Sequence, residues 1–513
     1  MLDTVADGAD IGVKELPSSS YICKNNMSAI KQPKIVEELI AKEKAKGYII
    51  GPFDTPPFDI YRIHAISIAE RKYAIKPKPR FVLDYSSPHD NDEHQSLNDL
   101  ISKEEFSLTY TKIEEAVAII QKLGRGSYLC KTDLCDAFKQ IGVKEKYYPF
   151  QGFRWKGKFY FYTRLVFGCR SSPYIFDKLS RAIAWIAENN YGIKYIKFLL
   201  DDFLTIDPPD SHENAYRTMA LLTMILRKLG LEYSIPKTIG PVNSLEYLGL
   251  ILDTVLFEMR LPADKHTRII NMVKSFLGSS VCTKREMLSL CGNLSFSTRC
   301  IPAGRSFMFR LFRVAHSVKP LDQKVFITPE AKSDLKMWLH FLENWNGVSL
   351  FLEDEETHAN KLDLYTDASG TLGFGGYFQG EWFYGEWPKE ILDRLTKRVS
   401  ICFQELLPVV MAAILWGKHW SRKRIIFHCD NEGAVYILNK GSSACPDIMK
   451  LMRRLTLVAA EHSFSYKALH IPGRLNKIAD KISRLQFQEF RRLAPNANTH
   501  PCQLPPLSYV MFD

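Results

Sequence analysis

Seven acidic residues are candidates for chemistry, and six of them stand beside apolar stretches where a lone acid is costly. Asp133 ends the apolar run SYLCKTD, and Asp201 and Asp202 interrupt KFLLDDFLTI. Asp367 ends LDLYTD, Glu405 lies in the first turns of an apolar helical stretch, Asp430 ends RIIFHCD, and Asp480 lies on a late helix. A carboxylate in a buried apolar strand costs several kcal/mol (about 2–7 for an uncompensated polar group) unless something offsets it. Neighbouring strand residues point to opposite faces, so Asp201 and Asp202 cannot share one core. A tight hairpin with the acids at its tip avoids that conflict. Divalent cations such as Mg²⁺ prefer oxygen donors and bind through a few carboxylates plus substrate phosphates. Strand-end acids converging on two such ions are equipped for phosphoryl or nucleotidyl transfer.

The elements that must position these acids are legible from pattern. A helix over IVEELIAKEKAKG puts Ile35, Leu39 and Ile40 on one face and stops at Gly47. PRFVLDY (79–85) and SYLCKTD (127–133) read as strands, as do FKQIGV and KFYFYTRL. Residues 172–190 read as a helix with a capping Ser and an early Pro. YIKFLLDDFLTI reads as a hairpin, followed by a helix at 211–229 and strands at 232–252. From 261 to 345 the pattern is helical, and residues 261–320 hold ten Lys/Arg against two acids. That +8 accounts for most of the chain's +11, so this helical module is expected to face nucleic acid. EDEE at 353–356 reads as a linker. Beyond it the order is βββαβαβα, and Pro408 sits early in its helix, where proline is tolerated.

The series PRFVLDYS, KTDLCDAF, RLVFGCRSSPYIF, LLDDF, a Gly-Leu…Lys segment (230–237) and EYLGLIL resembles the successive motifs of reverse transcriptases. The resemblance implies that Asp133, Asp201 and Asp202 bind the metals. It places Arg80, with Lys76 or Lys78, at the incoming triphosphate, and Phe138 under the sugar. Phe167 and Gly168 would lie against the nascent pair, Lys237 near the nucleotide, and Leu248 and Gly249 in the primer grip. Leu199 and Val166 depart from the family pattern. TDAS, QEL, CDN and HIPGRLNKIADKISR resemble ribonuclease H, which makes Asp367, Glu405, Asp430 and Asp480 the second metal set. Arg474 stands roughly where some members carry a His, and His470 reads as structural. PPF, SSPHDNDEHQSLND, FRWKGKFYF, GNLSFSTRCIPAGRSF and QEFRRLAPNA resemble the polymerase of DIRS-type (tyrosine-recombinase) retrotransposons.

The resemblance implies an α+β multidomain fold: a right-hand polymerase of fingers, palm and helical thumb/connection, followed by an RNase H-like α/β domain. The expected divisions are a flexible lead-in at 1–32, fingers and palm at 33–260, a basic thumb/connection at 261–352, the RNase H-like domain at 353–486 and a loosely ordered Pro-rich tail at 487–513. Arg305, Arg310 and Arg313 are the expected duplex contacts. The implied cofactor is Mg²⁺ (or Mn²⁺), two ions per site. The implied partners are an RNA template, a DNA primer, an RNA/DNA hybrid and dNTPs, with a separate recombinase and capsid-like protein of the same element. A pararetrovirus-like polymerase, or a decayed copy that only binds nucleic acid, is the alternative reading.

Composition limits the field further. Of 513 residues, 46% are hydrophobic and 24% charged, which excludes disordered, collagen-like and coiled-coil chains. Eleven scattered cysteines without a CxxC pair suit reduced thiols. The acidic start MLDTVADGAD has no signal-peptide pattern, and the longest apolar run, 409–416, is shorter than a membrane span. An intracellular protein, cytoplasmic or nuclear, not secreted and not in a membrane, is therefore expected.

Overall fold

The computed structural model describes all residues except 1, 70–78, 90–92, 346–347, 351–362, 390, 393–400, 422, 463 and 512–513. Lys76, Lys78 and the expected EDEE linker lie outside the described residues. The chain divides into two compact units, Met1–Leu248 and Gly249–Asp513.

Two sheets lie within the first unit's described residues. In the larger, the strands run Tyr21–Ile22, Arg62–Ala69, Gly152–Trp155, Lys158–Tyr162 and Ile49–Phe53, with Arg80–Asp84 antiparallel to Arg62–Ala69. The smaller sheet orders Ile239–Val242, Tyr128–Asp133, Asp202–Asp207 and Ile196–Leu199. Helix Ser172–Tyr191 lays Ile175, Phe176, Ile183, Ala184 and Ala187 into the core and stops at Gly192, whose φ of 69° is left-handed. Pro173 opens it as expected, but Ser171 makes no side-chain cap.

Two expectations fail in this unit. FKQIGV is not a strand, because Asp136 and Ala137 both have positive φ and fold the chain into the short 3₁₀ helix Ala137–Gln140. The first 32 residues are not a loose lead-in. Ala9 and Ile11 are fully buried, Ala9 bridges Val143, and Tyr21–Ile22 joins the larger sheet. A few small apolar residues suffice to dock a segment whose composition is mostly polar.

In the second unit, helices Ala263–Gly278, Lys284–Ser297, Phe309–Ala315 and Pro329–Trp345 form the expected helical part. Thr283 and Glu286 form a reciprocal capping box at the start of the second of these. A five-stranded sheet follows in the order Glu381–Glu386, Gly373–Phe378, Asp363–Ala368, Arg424–Cys429, Ser465–His470. Its first three strands are antiparallel neighbours and its last two run parallel to Asp363–Ala368. Helix Ile401–Trp416 is apolar on every side and lies in the core of this sheet unit, with Leu406, Val409, Val410 and Ala413 at 0% exposure. Extended to Trp420 it is long and apolar enough to cross a membrane by composition, yet 72% of that window is buried inside the protein.

The helical part and the sheet part pack on each other within this unit. Asp334, 1% exposed, lies between Arg310 and Arg453, with nitrogen–oxygen distances of 3.3 Å to both. Burial pushes the Asp334 carboxyl up to about 6 even though both guanidinium groups pull it down. Ser306 Oγ adds bonds to the Gly441 carbonyl and the Thr456 hydroxyl at 3.0 and 3.1 Å.

The tail from 487 is ordered, not loose. Helix Phe487–Leu493 buries Phe490 against Trp382. The Trp382 indole donates to the Asn498 carbonyl at 2.8 Å, and the Cys502 amide donates to the Trp382 carbonyl. Val510, fully buried, joins the same core as helix Ile401–Trp416.

Candidate active sites

The first site is built on one hairpin and its neighbour. Strands Ile196–Leu199 and Asp202–Asp207 pair with Leu199 opposite Asp202, so Leu200 and Asp201 form a two-residue turn. Leu200 has φ of 55°, a left-handed conformation that costs a non-glycine residue of order 1 kcal/mol. It is held there by the Ser180 hydroxyl, which donates to the Leu200 carbonyl at 2.8 Å. On the other side, Asp133 is the direct cross-strand partner of Asp202. The Leu134 amide donates to the Asp201 carbonyl at 2.9 Å, tying strand end to turn. The three acids that the resemblance singled out are thus brought together.

Their electrostatics fit a cation site. Burial raises Asp201 above its ordinary value, and repulsion from Asp133 adds to that. Burial pushes Asp202 to about 6, again with repulsion from Asp133 and Asp201. Asp202 Oδ1 is buried without a hydrogen-bond partner. A buried carboxylate oxygen with no donor, beside two further acids, suits a hard divalent cation. Two lysines offset the acids. Lys237 pairs with Asp133 Oδ2, and that bond raises the lysine's own pKa. Lys131 Nζ lies 3.0 Å from Asp202 Oδ2 and donates to the Glu246 carbonyl at 3.1 Å. Lys131 was not anticipated, although it sits two residues before Asp133 and therefore on the same face of the strand.

Arg80 opens strand Arg80–Asp84, is exposed, and its charge reaches Asp201. Phe138 is 6% exposed, with its ring 4.8 Å from Phe167 and 5.5 Å from the core ring of Phe176. Phe167 itself is 40% exposed. Gly168 has φ of 107°, and a Cβ there would collide with the Leu83 carbonyl oxygen, so only glycine fits against the Arg80 strand. Leu248 and Gly249 form a left-handed turn, φ 48° and 79°. Arg305 and Arg313 are exposed, whereas Arg310 is committed to Asp334.

The second site lies in the C-terminal unit. Asp367 comes from the central strand, Asp430 follows the end of the parallel strand beside it, Glu405 projects from the buried helix, and Asp480 comes from helix Lys477–Ser483. Glu405 is 4% and Asp367 5% exposed. Burial, then repulsion from Asp367 and Asp430, pushes Glu405 to about 9. Burial pushes Asp367 to about 6, with repulsion from Asp430 and Asp480 and relief from the Ser483 hydroxyl. Donor atoms of Glu405, Asp430 and Cys429 lie within 4.8 Å of one another, the spacing of ligands around one ion. Arg484 Nε, 2.6 Å from Asp480 Oδ1, is a counter-charge that sequence reasoning missed. His470 contacts the Asp430 carbonyl oxygen at 3.2 Å, a backbone role, and Arg474 is exposed.

Residues 88–252, which hold the first site, match the family of reverse transcriptases (RNA-dependent DNA polymerases). The chain is 22% identical over 483 residues to Polyprotein P3 of Commelina yellow mottle virus, covering 91% of this chain and 23% of the relative. It is 25% identical over 406 residues to the retrovirus-related Pol polyprotein from transposon opus of Drosophila melanogaster, covering 76% and 37%. The chain therefore spans well under half the length of these relatives. Among solved structures, the foamy viral protease-reverse transcriptase dRH in complex with ds DNA superposes with a TM-score of 0.53 at 16% identity, over 89% of this chain and 72% of that one. The foamy viral protease-reverse transcriptase in complex with RNA/DNA hybrid gives 0.50 at 15% identity, over 90% and 57%. The chain thus has the α+β fold of these solved structures, holds a segment at 88–252 that matches the reverse transcriptase family, and is similar over most of its length to polyproteins of a retrotransposon and a virus.

Proposed function

We propose that the chain is an RNA-directed DNA polymerase with a linked ribonuclease H, copying the RNA of a DIRS-type retroelement and degrading the template afterwards. The observation that carries the polymerase reading is the cross-strand pairing of Asp133 with Asp202 beside a turn that presents Asp201, inside the segment matched by the reverse transcriptase family. Two divalent ions, when bound, would activate the primer 3′-hydroxyl and stabilise the leaving pyrophosphate. Asp133, Asp201 and Asp202 would hold them. The chain's own groups do the rest. Lys237 and Lys131 offset carboxylate charge and keep the acids in place. Arg80 supplies positive charge for a triphosphate at the edge of the site. The buried ring of Phe138, packed on the exposed ring of Phe167, would leave little room beside the sugar, so a ribose 2′-hydroxyl would be excluded by contact.

The nuclease reading rests on four acids from one sheet and its helices, two of them almost fully buried. Asp367, Glu405, Asp430 and Asp480 would hold the second pair of ions, and the 2′-hydroxyl of the RNA strand would distinguish it from DNA. The exposed Arg305 and Arg313 are assigned to duplex phosphates. The test is primer extension by the full chain on an RNA template with Mg²⁺, followed by gel analysis of the template strand. Extended DNA with a shortened RNA is expected, and absence of extension by folded protein would overturn the reading. The viral relative covers 91% of this chain, so a virus-like polymerase with the same two activities is the second reading.

A further inference from the structure

Asp480 sits on a helix of seven residues, Lys477–Ser483, too short to be stable alone. Its place is set by contacts with the sheet. Ile482, fully buried, fills the space over Gly375, where a Cβ would collide with the Ile482 methyl carbon. At the start of the helix Asn476, 1% exposed, donates from Nδ2 to the Thr366 carbonyl at 2.8 Å. At its end the Ser483 hydroxyl, fully buried, donates to Asp367 Oδ2. The Asp480 carbonyl oxygen, 3.0 Å away, is the other place for that single proton. The carboxylate is charged and takes the stronger bond. The helix is thus bolted to the Asp367 strand at both ends, once through backbone and once through the acid itself.

We propose that Ser483 is a positioning residue of the C-terminal metal site: its hydroxyl holds one oxygen of Asp367 and registers Asp480 against it, so that both acids stand ready for a divalent cation. This rests on the reading of the four acids as a metal site. Asp367 is repelled by Asp430 and Asp480, and Arg484 pairs with Asp480 at its exposed end, so the Ser483 bond is the neutral donor that keeps Asp367 ordered. Groups that orient a ligand in this way typically contribute about 10–100-fold to metal affinity.

The test compares Ser483→Thr with Ser483→Val, which have the same shape and differ in the hydroxyl. Both are made in the full chain, and again in a full chain carrying Asp201→Asn and Asp202→Asn so that only the C-terminal site binds metal. Mn²⁺ affinity is read by calorimetry, and the Mg²⁺ concentration for half-maximal RNA cleavage by gel. The Val variant should bind Mn²⁺ about tenfold more weakly and need correspondingly more Mg²⁺, while the Thr variant stays close to wild type and primer extension is unchanged in both. Equal affinities for Thr and Val would overturn the Ser483 assignment, as would an equal loss in both. If wild type neither binds Mn²⁺ in the Asn background nor cleaves hybrid, the nuclease reading itself falls, and the assignment with it.

Discussion

Individual side chains in this protein sit in environments that set their chemistry. Glu405, Asp367 and Asp202 are acids whose burial holds the proton more tightly in the folded chain than in the unfolded one. Between the ordinary and the raised pKa the unfolded state binds fewer protons, so stability falls as pH rises. For Glu405 that window runs from 4.5 to about 9, and for Asp367 and Asp202 from 3.8 to about 6. Metal-free protein should therefore melt at progressively lower temperature from mildly acid to mildly alkaline buffer, and Mg²⁺ should recover most of the loss. Melting curves in chelator and in Mg²⁺ across that range check this; a metal-free protein most stable at alkaline pH would contradict it. Phe138 makes a second prediction. Its ring touches both the core ring of Phe176 and the exposed ring of Phe167, so Phe138→Ala costs about 3–5 kcal/mol of stability as a core deletion. The role proposed for Phe138 beside the sugar is separable from that cost, because it appears in a ratio. The preference in kcat/KM for a dNTP over its NTP should shrink by at least about tenfold, some 1.4 kcal/mol. The acids were legible in the sequence because an acid at an apolar strand end is conspicuous. Lys131 and Ser483 were not, because a lysine in a strand and a serine in a helix are unremarkable until their partners are known.

At the scale of elements, pattern and structure agree where periodicity is strong and diverge where a few residues decide. The LLDD hairpin, the helix at 172–191 and the five C-terminal strands follow from apolar period and turn residues. The segments at 8–32 and 487–511 do not, since Ala9, Ile11, Phe490 and Val510 anchor long polar stretches with little sequence signal. FKQIGV has the composition of a strand and does not form one, because two left-handed residues, Asp136 and Ala137, turn the chain there and neither is a glycine. The strap after 486 also covers the edge strand Glu381–Glu386, an edge that would otherwise be open to pairing with other chains. Deleting 487–513 should lower the melting temperature of the C-terminal unit and promote aggregation, read by light scattering. A truncated chain as soluble and stable as the full one would show the strap to be dispensable. The basic helices divide by partner. Arg305→Gln with Arg313→Gln should flatten the salt dependence of duplex binding by about 0.9 log–log unit for each phosphate left without its arginine. Arg310→Gln should instead destabilise the fold by about 1–3 kcal/mol, because it removes one of the two guanidinium partners of the buried Asp334. Identical behaviour of the three arginines would remove the distinction.

At the scale of the whole molecule, two acid sites lie in two compact units, each with its own core. Separate cores predict separable chemistry. Asp430→Asn should stop RNA cleavage while DNA synthesis persists, measured on one labelled hybrid in one reaction; loss of both in folded protein would argue for a shared site. The proposed polymerase activity stands or falls with Asp133, Asp201 and Asp202 as metal ligands. The most direct measurement is primer extension on an RNA template by Asp201→Asn, in Mg²⁺ and in Mn²⁺, with melting temperature and duplex affinity recorded on the same sample. Removing that carboxylate takes away a ligand and a charge but leaves the strand pairing and the exposed arginines intact. Extension should be lost with both metals while folding and duplex binding remain at wild-type level; extension that survives at more than a trace would contradict the assignment.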